Sequence, residues 1–222
     1  MKCGIRQLAQ KIKDSGTLRS LKYSLHVIVH PFAGFWDLVH EKYGSIAAAN
    51  IIVFLVLVTR LIRLRFTGFM FLDIYWPNVS IWTEMLSILV PLLLFCIANW
   101  GITTLFDGKG SFKNIYMGVA YALTPYILLQ IPMVIMSNFV TTDGGVFYTL
   151  LDSMSLLWCG ALILSALMKI HDYSLLQTVL STLASIVGML AIAMLCLIFF
   201  SMFSETIGYF SSLVQEIRIR LY

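Results

Sequence analysis

Five long stretches without a charged side chain set what this sequence can fold into. They cover residues 43–59, 85–106, 114–142, 153–168 and 173–204. A helix needs about 20 mostly apolar residues to cross the hydrocarbon core of a bilayer, and charged side chains are costly at its centre. The sequence therefore predicts five membrane-spanning helices, at about residues 45–64, 83–106, 115–139, 147–169 and 176–203.

The composition excludes an ordinary soluble domain. Hydrophobic residues make up 59% of the 222 residues and charged residues 12%, whereas soluble domains have about 45–50% and about 25%. We therefore predict an all-α polytopic integral membrane protein. The five spans form one domain over residues 45–203, between a basic arm over residues 1–44 and a short C-terminal tail over residues 204–222.

The distribution of lysine and arginine predicts the orientation. With a cytoplasmic N-terminus, ten basic residues fall on the cytoplasmic side and five outside, which agrees with the positive-inside rule. The cluster of Arg60, Arg63 and Arg65 is the contrary signal, because it would face outward. We predict a multi-pass protein of the cell membrane, with the N-terminus in the cytoplasm and the C-terminus outside.

The N-terminal arm has the pattern of a basic amphipathic helix that lies on the membrane surface. Apolar residues recur at helical spacing, at Leu18, Leu21, Leu25 and Ile28. Pro31 is expected to end this helix, and the aromatic Phe32, Phe35 and Trp36 are expected at the level of the lipid headgroups. Basic side chains near a bilayer attract anionic lipid. The residues that we expect to contact the lipid surface are Lys11, Lys13, Arg19 and Lys22.

No motif of enzymatic or metal chemistry is found in the sequence. It lacks the H-E-x-x-H and G-x-S-x-G patterns, and three of its four cysteines lie inside apolar stretches. His171 and Asp172 lie beside a span end, where we expect them to be solvated. Basic residues are not interleaved with aromatic residues as in a nucleic-acid groove. We therefore expect no catalytic residue, cofactor, metal or nucleic-acid partner.

Polar residues inside the spans leave a second class of function open. The amides Asn99, Gln130 and Asn138 lie within the predicted spans two and three, and polar groups at membrane depth need partners or a water-filled cavity. A wet cavity beside them would indicate a small transporter or channel, with a polar path between these two spans. A dry, filled interior would indicate a scaffold.

Prolines and small residues predict how the spans pack. Pro91 in span two, and Pro125 and Pro132 in span three, should kink their helices, and the carbonyl groups that they free need neighbours. Small residues four positions apart allow helices to approach closely. Three such pairs occur in spans three to five: Gly118 with Ala122, Ala161 with Ser165, and Ala184 with Gly188. They favour close packing within the bundle or against another membrane protein.

Four short segments form a recognisable set: residues 108–111 before span three, 120–126 within it, Trp158 with Gly160 in span four, and 171–174 before span five. Together they resemble the Yip family of five-span membrane proteins. An A-Y-S-x-x-P element begins the third span in that family. Tyr121 and Pro125 match it here, with Thr124 between them, and Ala122 stands where serine is usual. The arm over residues 30–45 looks like that of bacterial members.

The resemblance implies a five-span fold with a cytoplasmic N-terminus and, for a bacterial-type member, an accessory role beside carbohydrate ABC-transporter components. Since catalytic motifs are lacking and close-packing pairs recur, our leading hypothesis is a non-enzymatic scaffold or accessory subunit. Its partners would be the lipid bilayer and another integral membrane protein, for which an ABC-transporter permease is the candidate. A small transporter or channel is the alternative.

Overall fold

The computed structural model describes residues 16–41, 43–68, 80–105, 108–139 and 145–221. Every regular element within these ranges is a helix. In chain order, the helices of the described ranges are α1 (Gly16–Val29), α2 (Pro31–His40), α3 (Ile46–Phe66), α4 (Ile81–Leu105), α5 (Phe112–Ala122), α6 (Thr124–Ser137), α7 (Gly145–His171) and α8 (Leu175–Leu221).

Five segments of the described chain are long and apolar enough to cross a membrane. They are α3, α4, α5 joined to α6, α7, and the first 38 residues of α8. The first four agree with the predicted spans to within three residues at both ends. The prediction of an all-α, five-span membrane protein is therefore confirmed.

Span three, formed by α5 and α6, lies at the centre of the bundle. In its most apolar window 56% of the residues are buried, against 6% in span five. α5 packs on α3, α4 and α7, and α6 packs on α3 and α7. Side chains of α5 such as Ile115 and Tyr121 are fully buried. The other spans are therefore arranged around span three, and span five lies at the edge.

Span three is broken into two helices at Leu123. Pro125 has no N–H to donate to the carbonyl oxygen of Tyr121, four residues earlier. The Oγ1 of Thr124 donates to that oxygen instead, at 2.7 Å. Pro125 lies in the first turn of α6, where a missing N–H has no cost. Pro125, one of the two prolines that we expected to kink span three, thus lies at a break between two helices.

The N-terminal helices pack on the membrane-spanning helices. Ser20, Ser24 and Val27 form the buried face of α1, which contacts α2, α3, α5 and α6. The Oη of Tyr23 donates a hydrogen bond to Asp37 Oδ2 at 2.9 Å, which ties α1 to α2. Burial and the neighbouring carboxylate of Asp37 raise the pKa of Tyr23.

The apolar stripe of α1, which we expected to face lipid, is partly exposed and partly packed against the core. Leu25 is exposed, whereas Leu21 and Ile28 pack against the core. Phe35, which we expected at the headgroup level, is fully buried because α2 packs on α7. Spacing along a helix predicts which residues share a face, but the neighbours that the face meets come from tertiary packing.

Span five belongs to a helix of 47 residues, α8. At about 1.5 Å per residue this helix is about 70 Å long, whereas the hydrocarbon core of a bilayer is about 30 Å thick. We expected the last span to end near residue 203, before a short tail, but the helix continues to Leu221. Residues 204–221 contain no proline and one glycine, so nothing in the local sequence ends the helix where the charges begin.

Candidate functional site

Two clusters of polar side chains lie towards opposite ends of α7. One contains Asp152, near the start of the helix, and the other contains His171, its last residue. The two residues are 19 positions apart, which corresponds to about 28 Å along a helix and matches the ~30 Å thickness of the hydrocarbon core. One cluster therefore lies near each surface of the membrane.

The first group is the arginine cluster, formed by Arg63, Gln130 and Asp152. The Nη1 and Nη2 of Arg63 donate to Asp152 Oδ1 and Oδ2, both at 2.9 Å. This bidentate geometry is the strongest arrangement that a guanidinium and a carboxylate form. The Nε2 of Gln130, whose side chain is fully buried, donates a third hydrogen bond to Oδ1. The cluster joins spans one, three and four.

A second ion pair adjoins the arginine cluster on the same side of the membrane. The Nε of Arg60 lies 3.1 Å from Glu84 Oε2 and links α3 to α4. Both side chains are partly exposed, at 34% and 21%, so water screens this pair more than a buried one. The C-terminal half of α3 is thus held to spans two and four by carboxylates.

The second group is the histidine cluster, formed by Asn99, Gly110, His171 and Ser185. The backbone N–H of Gly110 donates to His171 Nδ1 at 3.3 Å. Nδ1 therefore carries the lone pair, and Nε2 carries the proton that it donates to Asn99 Oδ1 at 3.2 Å. The Nδ2 of Asn99 donates in turn to Ser185 Oγ at 3.0 Å. These bonds join spans two, four and five to the loop before span three.

His171 is 2% exposed, so our expectation that it is solvated was wrong. Glycines allow the preceding loop to close over the ring. A Cβ on Gly108 would lie 2.9 Å from the Nδ1 of His171, and a Cβ on Gly110 would lie 2.5 Å from its Cε1. Side chains do not fit at these distances. Lys109 and Asp172 extend outward from the two segments and form an exposed ion pair at 3.2 Å.

The structure thus brings together two of the segments on which the Yip resemblance rests. Residues 108–111 and 171–174 are about 60 positions apart in the sequence, yet they meet through Gly110 with His171 and through Lys109 with Asp172. Their residue types fit this contact: glycines that leave room, and an imidazole that accepts from a backbone N–H. Both segments therefore serve one structural site.

Small residues predicted to pack lie in different surroundings. A Cβ on Gly118 would lie 2.6 Å from Ile170 Cδ1, and one on Gly188 would lie 2.7 Å from Ile102 Cδ1. Gly118 therefore faces span four, whereas Gly188 faces span two. The other small residues of the three predicted pairs differ in burial: Ala122 is fully buried, Ser165 and Ala184 are half-buried, and Ala161 is exposed.

The other predicted residues lie at the surface or outside the described chain. Pro91 and Pro132 are exposed, and α4 and α6 continue through them. Arg19 and Lys22 are exposed on α1, and the guanidinium of Arg19 lies 5.4 Å from the ring centre of Tyr43. The positions predicted to contact lipid that fall outside the described residues are Lys11 and Lys13.

Neither polar cluster was predicted from the sequence. Arg63 was considered only as a charge that opposed the predicted orientation, and nothing in the sequence linked it to Asp152, 89 positions away. The available signal was the presence of one acid and one base near the same predicted surface. Rotation of each helix decides whether two such residues meet.

The chain is similar to one known family of membrane proteins. The chain matches the family model of the Yip1 domain over residues 25–211. No curated protein and no solved structure matches it. The match extends from α1 through all five spans and includes every residue of both polar clusters. The chain therefore belongs to the family of membrane proteins defined by the Yip1 domain.

Proposed function

We propose that the protein is a non-enzymatic scaffold or accessory subunit that packs laterally against another integral membrane protein. One observation carries this proposal. The apolar surface of α8 continues beyond the length that a bilayer covers, because the helix is about 70 Å long and the hydrocarbon core about 30 Å thick. Ile207 and Phe210 are both 62% exposed in that extension. Exposed apolar surface of this kind is typical of an interaction site.

The two clusters support a scaffold rather than a transporter. Asn99 and Gln130, the amides expected along a polar path, are both fully buried and belong to clusters at opposite ends of α7. Asn138 is exposed and donates to the backbone oxygen of Phe66. The hydrogen bonds of Asn99 and Gln130 join helices, which suits a rigid bundle that presents a surface to a partner.

The ion pairs support the proposed orientation, in which the N-terminus is in the cytoplasm of a cell-membrane protein. Arg60 and Arg63 opposed it by their charge, but each has a carboxylate partner in a neighbouring span. We expect labelling of Lys22→Cys from the cytoplasmic side and of Ser212→Cys from the outside, in a background without Cys3 and Cys196. Labelling of both from one side would contradict this orientation.

Site-specific photocrosslinking tests the partner. A photoreactive phenylalanine analogue replaces Phe199, which is 68% exposed on α8, or Phe54, which is 61% exposed on α3. The two positions are matched in residue type and exposure. We expect a discrete protein adduct from position 199 and none from position 54, because the proposal assigns the partner to α8. The same analogue at Phe210, which is 62% exposed in the extension, should also form the adduct.

Mass spectrometry of the adduct then identifies the partner class. The resemblance to bacterial relatives makes a permease of a carbohydrate ABC transporter the expected partner. An adduct with a different membrane protein would support the scaffold and exclude the permease. The experiment is done in the organism that naturally encodes the protein. Equal adducts from both positions, or no adduct from either position, would contradict the proposal.

A further inference from the structure

An apolar groove lies between α7 and α8 and runs parallel to the axis of α7. Its larger part has a volume of about 970 Å³, and its smaller part about 270 Å³. The two parts share Ala161, Leu164 and Val179, so they form one continuous groove. The groove exists because α8 packs mainly on α4 and has few contacts with α7. Phe95 of α4 lines it from the third side.

The length of the groove suits a lipid chain. Its lining residues on α7 extend from Ser153 to Met168, which corresponds to about 22 Å along a helix. One leaflet of the hydrocarbon core is about 15 Å thick. The groove is therefore long enough to accommodate an acyl chain from one leaflet. Gly160 keeps its middle open, since no atom lies within 4 Å of the position that a Cβ would take.

A positive charge marks one end of the groove. Phe32 and Met168 line that end, and the Nζ of Lys169 lies 5.8 Å from the centre of the Phe32 ring. In the part of the chain that the structure describes, no carboxylate lies within ion-pair distance of Lys169, and the nearby Asp172 is paired with Lys109. Lys169 is thus available to a negative group beside the groove.

We propose that this groove binds one acyl chain of an anionic phospholipid, whose headgroup is held by Lys169. The apolar lining accommodates the chain, and the lysine favours a lipid of net negative charge, whose phosphate is not neutralised by a cationic group in the same headgroup. The lipid comes from the leaflet next to the histidine cluster, because Lys169 is two residues before His171. This goes beyond the scaffold function, since the groove lies between two spans and is separate from the C-terminal extension of α8.

Lipid retention by the full chain tests the groove. The protein is reconstituted in nanodiscs of phosphatidylglycerol and phosphatidylcholine, released in the mass spectrometer, and its bound lipids are counted. We expect wild-type protein to retain phosphatidylglycerol and Gly160→Leu to retain about fivefold less, because the leucine side chain obstructs the middle of the groove. Gly101→Leu is the matched control, since a Cβ there also meets no atom within 4 Å, and it should retain as much as wild type.

A second variant tests the headgroup independently of the groove's shape. Lys169→Gln should lose the preference for phosphatidylglycerol over phosphatidylcholine, whereas Lys113→Gln, an exposed lysine at the start of α5, should keep it. Thermal melting of each variant monitors folding. Lys169 lies at the rim, so this test stands even if Gly160→Leu fails to fold.

Three results would overturn the proposal. Wild-type protein could retain no lipid, Gly160→Leu could retain as much as Gly101→Leu, or Lys169→Gln could keep the headgroup preference. A photoreactive residue at Leu157, which lines the groove, gives an independent test. A protein adduct at this position would show that a partner helix occupies the groove, and it would also overturn the proposal. Retention that falls only in Gly160→Leu, with the preference lost only in Lys169→Gln, supports the proposal.

Discussion

The arginine cluster and the histidine cluster both link neighbouring helices through hydrogen bonds, but the chemical groups that form these bonds differ. The first pairs a guanidinium with a carboxylate, so each member carries a full charge. The second links a neutral imidazole, two side chains and a backbone N–H. Each lies near one end of α7. The bundle is therefore held at one membrane surface by charges and at the other by neutral hydrogen bonds.

This difference determines what each cluster loses when one member is removed. A charged pair that loses one partner leaves an uncompensated charge, here on a side chain that is only partly exposed. A neutral cluster that loses one member leaves a dipole without a partner, which costs less. We therefore expect the arginine cluster to be the more sensitive of the two to single substitutions, and the more tolerant of replacement as a unit.

The largest effect is expected from Asp152→Leu. It leaves Arg63 without its carboxylate and removes the acceptor of Gln130, and we expect a loss of about 3 kcal/mol in the free energy of unfolding. Unfolding in mixed micelles with increasing SDS measures it. The double variant Arg63→Met with Asp152→Leu should recover most of the loss, since replacing both members of a largely desolvated ion pair by apolar residues is often neutral. A double variant as unstable as the single one would show that the charge is not the cause.

A smaller effect is expected from Asn99→Leu. This change removes the acceptor of His171 Nε2 and the donor to Ser185, and we expect a loss of roughly 2 kcal/mol by the same measurement. Thr104→Val is the control, because that hydroxyl is exposed and bonds only within its own helix. If the two variants are equally stable, the histidine cluster does not hold the spans together.

Gly110→Ala tests the approach of the loop to the imidazole. The new Cβ would lie 2.5 Å from His171 Cε1, so the loop must move and the hydrogen bond to Nδ1 must lengthen. We expect a loss of roughly 1–2 kcal/mol. Gly101→Ala, where the Cβ meets open space, should be neutral or slightly stabilising. The chemical shifts of the His171 ring should change in the first variant and stay constant in the second.

The smallest effect is expected from Lys109→Gln. Its ion pair with Asp172 is exposed, with 73% and 48% of the two side chains accessible, and such pairs contribute about 0.2–1 kcal/mol. A loss as large as that of Asn99→Leu would mean that this outer pair, rather than the buried cluster, secures the loop. Measurement at low and high salt separates the two, since only an exposed pair is screened.

The number and the bounds of the spans could be predicted from the sequence far more accurately than the contacts between them. Spans one to four were placed to within three residues, because insertion depends on local hydrophobicity and on the absence of charge. The helix of span five extends past the predicted end of that span, because hydropathy marks where apolar sequence ends but does not detect that a helix continues through polar residues. The burial of Phe35 was missed for a related reason: an aromatic residue suits both an interface and a core.

The sequence by itself determined that this protein is a five-span helical membrane protein, because each span is specified within about 20 consecutive residues. It also indicated a disturbance of the third span at Pro125, which cannot supply a backbone hydrogen bond, whereas α4 and α6 continue through Pro91 and Pro132. Only the tertiary structure decided that Arg63 meets Asp152, that His171 is buried under Gly110, and that a groove separates α7 from α8. These features depend on the rotation and depth of whole helices, which are set by packing against neighbours.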